Sequence, residues 1–291
     1  MNKIVFVGAV QLSQTALHSL RNCGIAPSLI VTLPTYLSHR HSDYYDFHDS
    51  ATSTGIPILK VDNINDHVEE IASFQPDYIL VWGWSQLIKP ELLAVPKYGC
   101  IGLHPTALPK GRGRGVIPWT ILTGQSFTGV SMFYLDEGMD TGDIIQQNLF
   151  TLLPRETATS LYQKVQDEIR KMVNMIAHTL KDGKLTGVPQ DHSRATYFAK
   201  RTPEDGRIDW NKSSYDIDRL IRATTHPYPG AFTYYKGEKV ILWQSEPIRT
   251  NWTGIPGQIL TKDGSEIIVQ TGLDQLKVWT TCPVKVHGKF E

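Results

Sequence analysis

Short apolar runs recur along the first half of the chain, with helix-patterned polar stretches between them. Ile4 to Val7 is a compact apolar run ending in Gly8, and Leu17 and Leu20 then fall at helical spacing, which predicts a strand, a loop and a helix. Ser28 to Val31, Ile56 to Leu59 and Tyr78 to Val81 repeat the strand signal, with a helical stretch around Val68 to Phe74. Strands alternating with helices predict an α/β fold, Rossmann-like, with a mostly parallel sheet. From Glu156 to Asp182 the apolar positions Leu161, Val165, Ile169, Met172, Ile176 and Leu180 keep a 3.6-residue period, so one long amphipathic helix follows.

The pattern changes after Val188. Pro189 to Arg201 is polar, and Ser213 with Asp216 three residues on reads as a helix start before Ile217, Leu220 and Ile221. Short strand signals separated by turns come next: Phe232 to Tyr235, Val240 to Trp243, Gly257 to Leu260, Glu266 to Val269 and Gln275 to Trp279. This spacing predicts a small C-terminal β-barrel or sandwich, OB-like in size. The expected organisation is an α/β domain over residues 1–190, a linker over 191–205 and a β-barrel-like domain over 206–291.

Charge narrows the choice of partner. Lys plus Arg equals Asp plus Glu at 29 each in 291 residues, so no global field favours nucleic acid or an anionic membrane. From Gly206 to Glu291 there are 11 basic and 9 acidic residues, without the basic surplus that phosphate-backbone binding asks for. Cys23, Cys100 and Cys282 are few, odd in number and far apart, which argues against a disulfide framework or a zinc knuckle and for a reducing compartment. No apolar run reaches the length of a leader or a membrane span. A soluble, cytoplasmic protein is expected.

The chemistry concentrates between Tyr98 and Ile144. Cys100 to Leu103 reads as a buried strand that delivers His104 directly before Pro105, and a residue ahead of proline is held extended. Gly111, Arg112, Gly113, Arg114 and Gly115 form a loop whose glycines allow close approach and whose arginines suit anions, or else a plain connector. It is not a Walker loop, because no Gly-Lys-Ser/Thr follows. A second strand, Gly129 to Leu135, empties into Asp136, Glu137, Gly138, Met139 and Asp140 through Asp143. Both exits are expected at consecutive strand ends of one sheet, where an imidazole and a carboxylate can meet. The acidic spacing does not fit a calcium loop. His39 and His41 invite a metal reading, but no third ligand falls at a standard spacing, and a loop shaping a polar cleft is the alternative. Trp82 to Ile88 leaves a strand end, where open α/β sheets bind ligands, although both tryptophans could equally be core.

These residues resemble the folate-dependent formyltransferase family. That family carries Asn-x-His, a nearby Leu-Pro and a later Asp-x-Gly loop. The resemblance covers nearly the whole chain. Arg201 to Asp205 and Pro227 to Phe232 are most similar to the sugar-nucleotide N-formyltransferases, including the domain acting on UDP-4-amino-4-deoxy-L-arabinose. Methionyl-tRNA formyltransferases are similar too, and the charge balance disfavours that branch. The resemblance implies 10-formyltetrahydrofolate as cosubstrate, no metal, and an amino-sugar nucleotide as acceptor; the balanced charge predicts no nucleic acid or membrane partner, and a homo-oligomer is allowed. It implies His104 as general base, Asp140 as the group that sets its charge and orientation, and folate contacts from Gln86, Leu87, Ile88, Arg114, Asp136, Glu137, Gly138 and Met139.

One position departs from the family. Gly102 stands where the family has Asn, the donor to the oxygen of the tetrahedral intermediate. A backbone N–H, Thr106, a loop side chain or a water are the available substitutes. Two other readings follow from the departure: a hydrolase releasing formate from the same donor, and a folate- or nucleotide-binding protein without catalysis.

Overall fold

The computed structural model describes residues 1–291. In chain order the first half runs β1 (Ile4–Val7), α1 (Gln11–Asn22), β2 (Leu29–Thr32), a 3-10 turn (Thr35–Arg40), α2 (His48–Thr52), β3 (Ile58–Lys60), α3 (Val68–Ser73), β4 (Tyr78–Trp82), α4 (Pro90–Leu93) and β5 (Gly99–His104). It continues with β6 (Arg112–Gly113), α5 (Val116–Leu122), β7 (Phe127–Tyr134), β8 (Ile144–Thr151), α6 (Ala158–Asp182) and β9 (Tyr197–Phe198). The main sheet has seven strands in the order β3-β2-β1-β4-β5-β7-β8. The pairings from β3 to β5 are parallel, as alternating strands and helices predict. Strands β1, β2 and β4 are buried along their whole length, which explains their continuous apolar runs.

The last two pairings, β5 with β7 and β7 with β8, are antiparallel. This changes the geometry expected from the sequence. His104 pairs with Ser131, whereas Tyr134, the last residue of β7, pairs with Ile101. The loop leaving β7 therefore starts about 10 Å back along β5, three residues at roughly 3.3 Å each. It must run forward along β5 for Asp140 to reach His104.

The chain divides into two compact units: residues 1–116, 127–151 and 162–198 form one, and residues 117–126, 152–161 and 199–291 the other. The polar stretch expected to be a plain linker carries β9, which pairs in parallel with β6. It also carries a capping box at Thr202 and Asp205. In the second unit, α7 (Ser214–Thr224) starts at Ser213, whose side chain accepts from the Asp216 N–H. There follow a two-stranded antiparallel sheet, β10 (Ala231–Tyr235) with β11 (Glu238–Leu242), and a four-stranded one. The four-stranded sheet has β12 (Ser245–Ile248), β13 (Ile259–Asp263), β14 (Glu266–Gln270) and β15 (Gln275–Trp279) in the order β12-β15-β14-β13. Strand β12 has no sequence counterpart above because it is short and holds Pro247. It lies at the sheet edge, where a missing N–H is tolerated.

Candidate functional site

In the first unit a cavity of about 430 Å³ lies along β4, β5 and β7, lined by His104, Asp140, Gly102, Arg114 and the turn after β4. That volume is within the range of small-molecule sites. His104 is 7 % exposed, and its Nε2 lies 2.8 Å from the Gly111 carbonyl oxygen. A carbonyl can only accept, so Nε2 carries the ring proton and Nδ1 is left as the basic nitrogen. Nδ1 is 3.7 Å from Asp140 Oδ2.

Asp140 is held from two sides. Its Oδ2 accepts from the Gly113 N–H at 2.8 Å. Gln190 Nε2 donates to the Asp140 carbonyl at 2.9 Å and to the Gly142 carbonyl at 2.7 Å. Gln190 is in turn fixed by Arg112, whose Nη2 donates to its Oε1 at 2.7 Å. Gly113 has φ +104, and a Cβ there would stand 2.3 Å from the Phe198 carbonyl oxygen, so only glycine lets β6 approach β9 and present this N–H.

The two arginines of the glycine-rich loop separate. Arg114 is exposed and lines the cavity, as anion binding requires. Arg112 is 1 % exposed and binds neutral groups only: Gln190, the Tyr197 hydroxyl at 3.0 Å and His192 Nδ1 at 3.0 Å. Of the two arginines that suit anions by residue type, Arg112 instead braces the acidic loop through Gln190. Gln190 itself has no local signature, being one glutamine in a polar stretch.

The turn after β4 is pinned to a neighbouring loop. Gln86 accepts from the Ile64 N–H at 2.9 Å and donates to the Asp62 carbonyl at 2.7 Å, and the Leu87 carbonyl accepts from Asn65 at 2.9 Å. Ile88 is buried, while the Leu87 side chain stands exposed at the cavity. Trp82 belongs to the core, edge-on to Phe6 at 6.0 Å, and Trp84 lines the cavity. In the acidic loop, Asp136 Oδ1 accepts from the Gly138 N–H at 3.0 Å and the Thr141 hydroxyl at 2.5 Å, so it shapes the turn. Gly138 and Met139 line the cavity with Asp136; Glu137 is exposed and does not.

At Gly102 a Cβ would lie 2.6 Å from Leu135 Cδ2 and 2.8 and 2.9 Å from the Phe133 ring. The space beside this position is taken by two apolar side chains of the neighbouring strand and its exit. Thr106 is not a substitute donor: it is buried, its hydroxyl faces the Gly111 carbonyl at 3.4 Å, and it is not part of the cavity lining.

His39 and His41 turn to different partners, Nδ1 of the first 3.1 Å from the Tyr36 carbonyl and Nε2 of the second 3.2 Å from Ser85 Oγ. No group of three His, Cys, Asp or Glu side chains comes together to hold a metal ion. Burial lowers the His41 pKa; Asp43 opposes that shift and Arg114 adds to it. Burial also pushes the Cys100 thiol up to about 12, which leaves it protonated and inert near neutral pH.

Residues 60–176 match the family described as formyl transferase, and residues 200–282 match the formyl transferase C-terminal domain. The chain is 31% identical over 280 residues to a methionyl-tRNA formyltransferase of Alkaliphilus oremlandii, covering 95% of this chain and 90% of that one. It is 32% identical over 291 residues to one of Agathobacter rectalis, covering 99% and 93%. Among solved structures, the fold is similar to WlaRD, a sugar 3N-formyl transferase crystallised with dTDP and 5-N-formyl-THF. The TM-score there is 0.69 at 19% identity, over 98% of this chain and 99% of that one. HypX from Aquifex aeolicus is similar at TM-score 0.70 and 20% identity, and the match covers 95% of this chain but 43% of that protein. No helix is long and apolar enough to cross a membrane.

Proposed function

Because this chain belongs to the formyl transferase family, we propose that it carries a formyl group from 10-formyltetrahydrofolate to the amine of an amino-sugar nucleotide. The observation that carries the reading is the His104–Asp140 pair. With Nε2 protonated against Gly111, Nδ1 is the nitrogen free to take a proton, and Asp140 stands 3.7 Å away to stabilise the resulting charge. The cavity walls suit the donor: Leu87 and Met139 are exposed apolar side chains beside it, fit to cover a flat ring system, and the buried Ile88 adds apolar surface to the lining.

The donor supplies an electrophilic formyl carbon. The acceptor enters as a neutral amine and bonds through nitrogen to that carbon. His104 Nδ1 takes the proton that the nitrogen sheds and returns it to the departing folate nitrogen as the old carbon–nitrogen bond breaks. Asp140, fixed by the Gly113 N–H and by Gln190, keeps its carboxylate beside the ring throughout. Arg114 brings a cation to the cavity wall, where the family resemblance gives it a contact to the folate.

Three observations support the sugar-nucleotide acceptor: the motifs at Arg201–Asp205 and Pro227–Phe232, the balanced charge, and fold neighbours crystallised with a folate and dTDP or a dTDP-sugar. The sequence relatives favour a second acceptor, the amine of methionyl-tRNA. Cations over aromatic rings in the second unit, Lys239 at 3.7 Å from the Phe232 centroid and Arg207 at 5.6 Å from that of Tyr234, would suit a nucleic acid as well. Incubation with 10-formyltetrahydrofolate and either a panel of amino-sugar nucleotides or methionyl-tRNA, following formamide and free formate, tests the readings. Formylated sugar is expected. Formylated tRNA alone would replace the acceptor, and formate released without any amine would replace transfer by hydrolysis.

A further inference from the structure

The catalytic cavity has a second polar wall, built from elements that contribute nothing to the His104–Asp140 pair. His41 and Ser85 meet at 3.2 Å, one from the segment after the Thr35–Arg40 turn and the other from the turn after β4. Asp43 is anchored twice: its carbonyl accepts from the Gln11 N–H at 2.9 Å, and its Oδ2 accepts from the Tyr162 hydroxyl at 2.5 Å. The same Tyr162 oxygen accepts from the Leu12 N–H at 3.2 Å, and the Val10 N–H goes to Ser13 Oγ at 3.3 Å.

These bonds determine what α1 can offer a ligand. The first amide groups of a helix commonly receive a phosphate. Here Val10, Gln11 and Leu12 have already spent theirs on Ser13, Asp43 and Tyr162, and the Asp43 carboxylate adds a negative charge at that helix start. Asp43 Oδ1 is not engaged in these bonds. Val10, Leu12, His41, Asp43 and Ser85 all line the cavity that holds His104 and Asp140. Burial favours the uncharged imidazole at His41, so this wall presents a neutral ring, a hydroxyl and one carboxylate oxygen. Such a set matches sugar hydroxyls, each able both to donate and to accept.

We propose that His41, Asp43 and Ser85 form the acceptor subsite, which binds hydroxyl groups of the sugar bearing the reacting amine and excludes phosphate from the start of α1. The assignment rests on the reading of the acceptor as an amino-sugar nucleotide. Its phosphates then lie away from the start of α1.

The test uses the full chain and three variants, Asp43→Asn, Ser85→Ala and His41→Gln. Asp43→Asn keeps an oxygen for the Tyr162 hydroxyl while removing the charge. Calorimetry measures 5-formyltetrahydrofolate binding, and then amino-sugar nucleotide binding to the folate-loaded protein. Each variant is expected to weaken acceptor binding about 10- to 100-fold, the range for losing a hydrogen bond to a buried or charged group, with folate affinity within about twofold. Asp43→Asn is also expected to bind inorganic phosphate more tightly than wild type, as removal of a like charge requires. Wild-type acceptor affinity in Asp43→Asn and Ser85→Ala would overturn the subsite while leaving the acceptor reading intact. An equal loss of folate and acceptor binding would also overturn it, since the wall would then serve the fold or the donor. A wild-type protein that binds methionyl-tRNA and no amino-sugar nucleotide overturns the acceptor reading, and this subsite with it.

Discussion

Replacing Gly102 by Asn restores the side chain that the formyltransferase pattern carries, yet it is expected to bring no gain in turnover. An added Cβ meets Leu135 Cδ2 at 2.6 Å and the Phe133 ring at 2.8 and 2.9 Å, before any amide atom is placed. Ordinary contact begins near 3.4 Å, so both side chains must yield by about 0.5 to 0.8 Å. Overpacking costs about 1–3 kcal/mol, and here the atoms met are the ends of two side chains that can turn, which puts the cost at about 1 kcal/mol. An oxyanion donor is worth about 10²–10³ in rate, roughly 3–4 kcal/mol, and only if it reaches the formyl oxygen. The ring edge of Phe133 stands against the position of the new Cβ and must move before the carboxamide can be placed. We expect Gly102→Asn to lower Tm by at least about 2 °C and to leave single-turnover formyl transfer at or below the wild-type rate. Gly102→Asn with Phe133→Ala, which opens the space, should transfer faster than Gly102→Asn alone. Quenched-flow turnover at saturating donor, beside thermal melts, reads both. A gain of 100-fold in Gly102→Asn by itself, with Tm unchanged, would refute the steric argument and show the wild-type site to be deprived of its donor.

Three other outcomes follow from the same geometry. His104→Ala and Asp140→Asn should each lower kcat by about 10²–10⁴ while folate affinity, read by fluorescence titration, stays within about threefold; wild-type turnover in either would remove it from the reaction. Gln190→Leu strips the Asp140 and Gly142 carbonyls of their donor and Arg112 of its buried acceptor. It should cost about 2–4 kcal/mol in urea unfolding, with kcat falling more than donor affinity, and an unchanged kcat would separate Gln190 from the active loop. His41 has its folded pKa below the usual 6.5, chiefly through burial, so the unfolded chain binds the extra proton first. Its contribution to stability is therefore full above about pH 6.5 and is lost as pH falls from there through the folded value; His41→Gln should flatten that limb of the pH-stability curve, and an unaltered curve would contradict the shift.

Much of the first unit was readable from local pattern. Strands β1, β2 and β4 are apolar runs because both faces are buried, and α6 keeps its 3.6-residue period because one face packs inward from Leu161 to Leu180. His104 and Asp140 were legible as residue types set at strand exits. Their distance from each other was not, because β7 runs antiparallel to β5 and the acidic loop must double back. Sequence periodicity reports which side of an element is apolar and carries no information on which distant polar group becomes a partner. Tyr162 and Asp43 are 119 residues apart, Gln190 and Asp140 are 50 apart, and each pair exists only because the fold brings their backbones together. The same holds for the arginines two residues apart on one loop: pairing of β6 with β9 buries Arg112 under Gln190, His192 and Tyr197, and leaves Arg114 at the cavity. Gly102 makes the division plain. Its identity marked the departure from the family, and only the β5–β7 register put Phe133 beside it to fill the space that a side chain would need.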